Sequence, residues 1–169
     1  MPEIPDNMKH LPLYHGLPIP YMTFIGEDGA PDFKVSDGEL RQKCLRDELC
    51  GLCGKPLTPN LVVLIGGPKC VNNRLFFDPP MHKECALYAT QVCPYLNDAN
   101  WDYAKQPPRH LGEGQTVIKV YSEIDARRPD RLAVYYCRHY EMVRYKGTWY
   151  VKAGKPFKID WNACARRDK

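Results

Sequence analysis

The sequence Cys50-Gly51-Leu52-Cys53-Gly54 is followed, with 28 residues between Cys53 and His82, by His82-Lys83-Glu84-Cys85. The reading of these two short stretches decides the fold. A two-residue gap between cysteines lets one turn bring both sulfurs to a single ion. Gly51 and Gly54 relieve backbone crowding in that turn, because glycine accepts a positive φ without a Cβ clash. A helix is expected to open at Asp78-Pro79-Pro80, with an acidic N-cap and proline at the first helical position. On it His82 and Cys85 lie three residues apart and face the same way. Both fall in the first turn, where the positive end of the helix dipole favours thiolate over thiol. Sulfur and imidazole donors in this pattern suit Zn²⁺, and four protein ligands leave no open coordination position. Cys50, Cys53, His82 and Cys85 are therefore expected to hold one structural zinc ion. The alternative is a set of buried cysteines with a surface histidine. A Cys3His site with a divalent ion carries one net negative charge, lowering the formal +4 of the chain toward +3.

Outward from the ligands, Leu61 to Ile65 is expected as a buried strand, Gly66-Gly67-Pro68 as a break and Arg74 to Phe77 as a second strand. The order is a turn with two ligands, a hairpin, then a helix with two ligands. It resembles the treble-clef zinc finger over about Leu49 to Leu96. Treble clefs serve in nucleic-acid binding, in protein docking and as nuclease scaffolds, so the resemblance implies a metal and a fold but no single activity. The wider combination of Cys50 to Leu57, Gly66-Gly67-Pro68 and Asp78 to Cys85 is similar to poorly characterised proteins of actinobacteria and their phages. That similarity implies a lineage only.

Before the finger, residues 1–20 hold five prolines and read as an extended arm. Tyr21 to Ile25 and Phe33 to Val35 are expected as strands joined by Gly26-Glu27-Asp28-Gly29. Asp37 stands as N-cap of a helix from Gly38 to Leu49, with Leu40, Cys44, Leu45 and Leu49 on its apolar face. The helix carrying His82 and Cys85 should end at Cys93, because Pro94 cannot continue it. Residues 97–114 read as a linker. Residues 115–169 read as a basic antiparallel meander, with Lys146-Gly147 as a turn. The expected fold is α+β: hairpin and helix, zinc finger (together 21–96), linker, then the β region.

Length and composition agree with this. A chain of 169 residues with 44% hydrophobic and 26% charged residues has enough apolar material to fold without a disulfide framework. The apolar run Leu61 to Ile65 is far too short to span a bilayer, and Met1 to Pro12 shows no secretory signal. A cytoplasmic location, no membrane association and cysteines on metal rather than in disulfides are the corresponding expectations. Cys44 and Cys93 read as core residues, Cys44 being the nearest substitute ligand. Cys70 lies in a loop without a partner, and Cys137, His139 and Cys164 fall one ligand short of a second metal site. His10, His15 and His110 are isolated and read as solvated.

No catalytic residue is assigned. A treble-clef nuclease of HNH type needs a histidine on the first strand of the finger, and Leu61 to Ile65 has none. His82-Lys83-Glu84 matches the first half of a deaminase signature, but Cys93-Pro94 does not supply the second. Phosphate loops, zinc-protease helices and nucleophile elbows are absent from the sequence.

The charge lies at one end. Residues 121–169 carry 12 Lys/Arg against 6 Asp/Glu, whereas the preceding 120 carry 12 against 14. Arg127, Arg128, Arg131, Arg138, Arg144, Lys146, Lys152, Lys155 and Lys158 interleave with Tyr136, Tyr140, Tyr145, Trp149, Tyr150 and Trp161. Cations neutralise phosphates and exposed rings stack on unpaired bases, so nucleic acid is one expected partner. Alternation in strands also yields an aromatic core under a solvated cationic face, and protein docking, on a host protein if the chain is phage-encoded, is the rival reading.

Overall fold

The computed structural model describes residues 1–97 and 129–161. The described chain is mixed α+β with antiparallel sheets and short helices. Two small hairpins come first, β1 (Leu13–Tyr14) with β2 (Leu17–Pro18), and β3 (Thr23–Ile25) with β4 (Pro31–Ser36). The expected arm thus contains a 3-10 turn at Asp6–Met8 and a hairpin. Met8 and Leu11 are buried, which holds this segment down on the core.

Helix α1 (Gly38–Arg46) starts where expected, the Asp37 carboxylate accepting from the backbone N–H of Glu39 and Leu40 at 2.9 and 3.0 Å. It stops three residues earlier than the expected Leu49. Glu48 takes a left-handed conformation (φ 52°), and the Leu49 N–H turns back to the Cys44 carbonyl at 2.9 Å. The buried face also differs: Arg41, Cys44 and Leu45 are buried, and Leu40 is only half-buried.

Strand β5 (Val62–Gly66) and strand β6 (Leu75–Phe76) are separated by a short helix, α2 (Pro68–Asn73), so Pro68 opens a helix rather than a simple break. The two strands do not form the expected hairpin with each other. β5 pairs with β7 (Ala133–Cys137), which also pairs with β10 (Pro156–Asp160). β6 pairs with β9 (Thr148–Ala153), which forms a hairpin with β8 (Tyr140–Tyr145) through Lys146-Gly147. The C-terminal strands are therefore shared between two three-stranded sheets, β10-β7-β5 and β6-β9-β8, instead of forming one meander.

Every residue of β7 is buried, which explains its uninterrupted apolar sequence. One side of β5 and β7 (Val62, Leu64, Tyr135, Cys137) packs with Phe76, Val151 and Ala153 of the second sheet and Leu45 of α1. The other side (Val63, Val134, Tyr136) packs with Met81, Cys85, Ala86 and Tyr88. The first sheet is thus the middle layer, between the second sheet and the helix α3 (Lys83–Val92). A final turn, α4 (Pro94–Asn97), follows the break at Cys93. Among the described residues no helix is long and apolar enough to cross a membrane.

Candidate metal centre

The Cys50–Cys53 turn is closed by two backbone hydrogen bonds, from Gly54 N–H to the Cys50 carbonyl and from Cys50 N–H to the Lys55 carbonyl, both 2.8 Å. Gly54 has φ +73°, and a Cβ there would stand 2.6 Å from the Tyr21 ring, so this position accepts only glycine without rearrangement. Gly51 donates to the Pro80 carbonyl at 3.1 Å, tying the turn to the segment that carries the other two ligands.

That segment is not helical where expected. Pro79 and Pro80 are buried ahead of a helix that begins only at Lys83, and Met81 forms a bridge with Val63 of β5, its N–H reaching the Val63 carbonyl at 2.9 Å. His82 is the N-cap residue, with an extended backbone (φ −65°, ψ 149°), and Cys85 sits in the first turn. An extended Met81 satisfies its backbone on the strand, which a helix beginning at Pro79 would not permit.

The ligand atoms of Cys50, Cys53, His82 and Cys85 all lie within 4.8 Å of one another, and all four residues are buried. Four donors around an ion with metal–sulfur bonds of about 2.3 Å stand roughly 3.8 Å apart in a tetrahedron, so the set fits one ion. His82 Nδ1 lies 3.2 Å from Cys53 Sγ and 4.0 Å from Cys85 Sγ, while Nε2–H donates to the Pro56 carbonyl at 2.8 Å. The proton is thereby held on Nε2, which leaves the Nδ1 lone pair facing the sulfurs. The His82 backbone N–H donates to Cys50 Sγ at 3.3 Å, a contact that stabilises a thiolate.

The electrostatics of the donor set ask for a cation. Hydrogen bonds from Cys53 and Cys85 hold the Cys50 thiol well below its usual range, and the same bonds push Cys85 up and Cys53 up to about 11. Three sulfurs this close tolerate one negative charge among themselves. A divalent ion held by these four residues would remove that conflict by favouring the thiolate form of all three. The Cys50 thiolate also raises the His82 pKa, against the effect of burial. Cys44 is not a fifth donor. Burial, reinforced by Cys50 and Cys53, pushes its thiol up to about 12, and it donates to the Cys50 carbonyl across 4.0 Å.

Among the described residues none of the seven cysteines is in a disulfide, and the Cys50 set is the one Cys/His group gathered for a metal. Cys137 points into the core with its thiol on the His139 carbonyl (3.3 Å), while the His139 side chain lies against Gly154. The Cys137 thiol and the His139 ring do not gather as a donor group, and Cys164, the third residue of that reading, lies outside the described residues. Cys70 packs beside Gly66 and Cys93 against α3, while Glu84 accepts a hydrogen bond from Asn7. His10 and His15 are exposed; His110 is outside the described residues.

The basic residues divide between the two sheets. Arg138 lies over Phe157, Lys158 over Tyr136 and Arg131 over Trp161, all around the β10-β7-β5 sheet. Arg144 lies over Trp149 and Lys146 over Tyr145 on the β8–β9 hairpin, with Lys152 half-buried on β9 and Lys155 exposed beyond it. Arg127 and Arg128 are outside the described residues. Sequence reasoning missed Arg41. It is 1% exposed, donating from Nε and Nη2 to the Phe77 carbonyl (3.0 and 2.6 Å) and from Nη2 to the Trp149 carbonyl (2.6 Å). Burial lowers its pKa only to about 10, so it stays charged at neutral pH. A charged residue inside an amphipathic helix pattern gives no signal that it will be buried. Compared with protein-family models, curated proteins and solved structures, the chain matches none.

Proposed function

We propose that the chain is a non-catalytic binding module, stabilised by one structural Zn²⁺ on Cys50, Cys53, His82 and Cys85, that contacts nucleic acid through its basic, aromatic C-terminal region. The observation that carries the zinc reading is the closed donor set: three sulfurs and one imidazole nitrogen, buried and mutually within 4.8 Å. Such a set satisfies zinc without an open position, so it supports a scaffold and offers no place to activate water. The treble-clef relationship is retained as a proposal: the turn and the helix stand at the two ends of the finger, with the intervening strands recruited by β7 and β9.

The nucleic-acid reading is supported by exposed rings next to cations, Tyr145 (57% exposed) beside Lys146 and Trp149 beside Arg144. Metal analysis should return one zinc per chain, and Cys53→Ser should lose the ion together with cooperative folding. Nucleic-acid affinity should fall steeply with salt. A flat salt response with zinc bound favours the second reading, an adaptor or inhibitor of phage or bacterial origin docking on a host protein. That reading has its own observation, an exposed apolar group of Leu13, Tyr14 and Phe33 on the N-terminal hairpins, with the Tyr14 and Phe33 rings 6.1 Å apart.

A further inference from the structure

The outer face of the β6-β9-β8 sheet is set by register. Across β8 and β9, the pairs Tyr140/Ala153 and Met142/Val151 share one side, and Val151 and Ala153 are buried in the core. The pairs Glu141/Lys152, Val143/Tyr150 and Tyr145/Thr148 therefore stand on the opposite side. On β6, Leu75 faces Lys152, so Phe77, two residues on, comes beside Tyr150. The Phe77 and Tyr150 rings meet edge-on at 6.2 Å, and Tyr150 and Tyr145 at 6.5 Å. A row of three rings thus crosses the sheet. Arg41 fixes its inner end, with the guanidinium 3.8 Å from the Phe77 ring centre and bonded to the Phe77 and Trp149 carbonyls.

The next cross-strand pair, one step of roughly 6.7 Å along the strands, borders an open pocket of about 200 Å³. Arg74, His139, Glu141 and Lys152 supply its polar groups. Two cations face one acid there. Lys152 Nζ donates to the Asn73 carbonyl at 2.6 Å, which holds the ammonium at the rim. At the Tyr145 end of the row, Lys146 lies 5.5 Å from the ring centre.

We propose that this face binds single-stranded nucleic acid, with unpaired bases stacking on Tyr145 and Tyr150 and a backbone phosphate seated between Arg74 and Lys152. The inference rests on the nucleic-acid reading above and narrows it to a strand state and a surface. Rings presented on a sheet reach base faces only where those faces are free, and a duplex hides them in its stack. Cations beside Tyr150 (Arg74 and Lys152) and beside Tyr145 (Lys146) match a backbone running past those two rings.

The test is fluorescence anisotropy of the full-length, zinc-loaded protein with labelled oligothymidine and oligouridine of roughly 12 nucleotides and a duplex of equal length. At least one single strand should bind more tightly than the duplex. Tyr145→Ala should weaken that binding about tenfold without changing the melting temperature, and Tyr145→Trp should retain it. Lys152→Gln should weaken it and reduce the salt slope by about one. Binding in which the duplex competes equally, or which survives both Tyr145→Ala and Lys152→Gln, overturns the assignment of this face but leaves nucleic-acid contact elsewhere in the basic region standing. No binding to any of the three probes overturns both.

Discussion

The Nε2–H of His82 donates to the carbonyl of Pro56 at 2.8 Å, so the backbone immediately after the cysteine turn sets the tautomer of a ligand contributed 26 residues later. Pro56 is itself positioned by a bridge to Leu49, at the start of the turn. His82→Cys keeps a donor at the position but loses this hydrogen bond. The variant should bind one ion with affinity lowered about 10- to 100-fold, the range for lost outer contacts, whereas His82→Ala should not hold the ion. Competition with a chromophoric chelator measures both.

The two glycines of the turn should respond differently. Gly54→Ala combines a positive φ with a Cβ 2.6 Å from the Tyr21 ring and should cost more than about 1 kcal/mol. At Gly51 a Cβ meets Met22 Sδ and the Pro79 side chain at 3.3–3.4 Å, and a methionine gives way easily. Thermal melts of the two zinc-loaded variants should rank Gly51→Ala above Gly54→Ala in stability.

Arg41→Ala should destabilise the protein by about 2–4 kcal/mol in denaturant unfolding, because the Phe77 and Trp149 carbonyls lose their shared donor. Arg41→Lys should recover only part of the loss, since a single ammonium cannot reproduce the Nε and Nη2 pair on the Phe77 carbonyl together with the Nη2 bond to Trp149.

Alkaline pH tests the buried Tyr140 hydroxyl. Burial pushes its pKa up to about 12, with Glu48 and Cys44 adding to the shift, and the oxygen has no hydrogen-bond partner. Between the ordinary value near 10 and 12, the unfolded chain loses this proton while the folded chain keeps it. Stability should therefore fall as pH rises through that window, by at most about 1.4 kcal/mol per pH unit. Tyr140→Phe should remove this part of the slope and leave the protein no less stable at pH 7. Denaturant midpoints from pH 9 to 12 for both proteins provide the comparison.

The candidate metal centre was legible because its information is local. A two-residue gap between cysteines and another between His82 and Cys85 each place two donors side by side whatever the rest of the chain does. The same holds for the Asp37 cap, for the Gly26–Gly29 turn and for the end of α3 ahead of Pro94. The start of α3 was misread because Asp-Pro-Pro satisfies a helix opening locally, and the bridge of Met81 to Val63 overrides it. The burial of Arg41 was not legible because nothing around it in the chain announces two acceptor carbonyls arriving from residues 77 and 149.

The sequence by itself determined which residues gather at the candidate centre, most strand segments apart from the β1–β2 hairpin, and which residue caps α1, since each depends on neighbours within a few positions. Only the tertiary structure decided which strands pair. Apolar alternation specifies the two faces of a strand, but its N–H and C=O groups accept any extended partner. β5 and β6 therefore found β7 and β9, more than 60 residues along the chain, instead of each other. That choice put one face of β7 against helix α3 and the other against the second sheet, and left Tyr150 and Tyr145 on the side of that sheet away from the core.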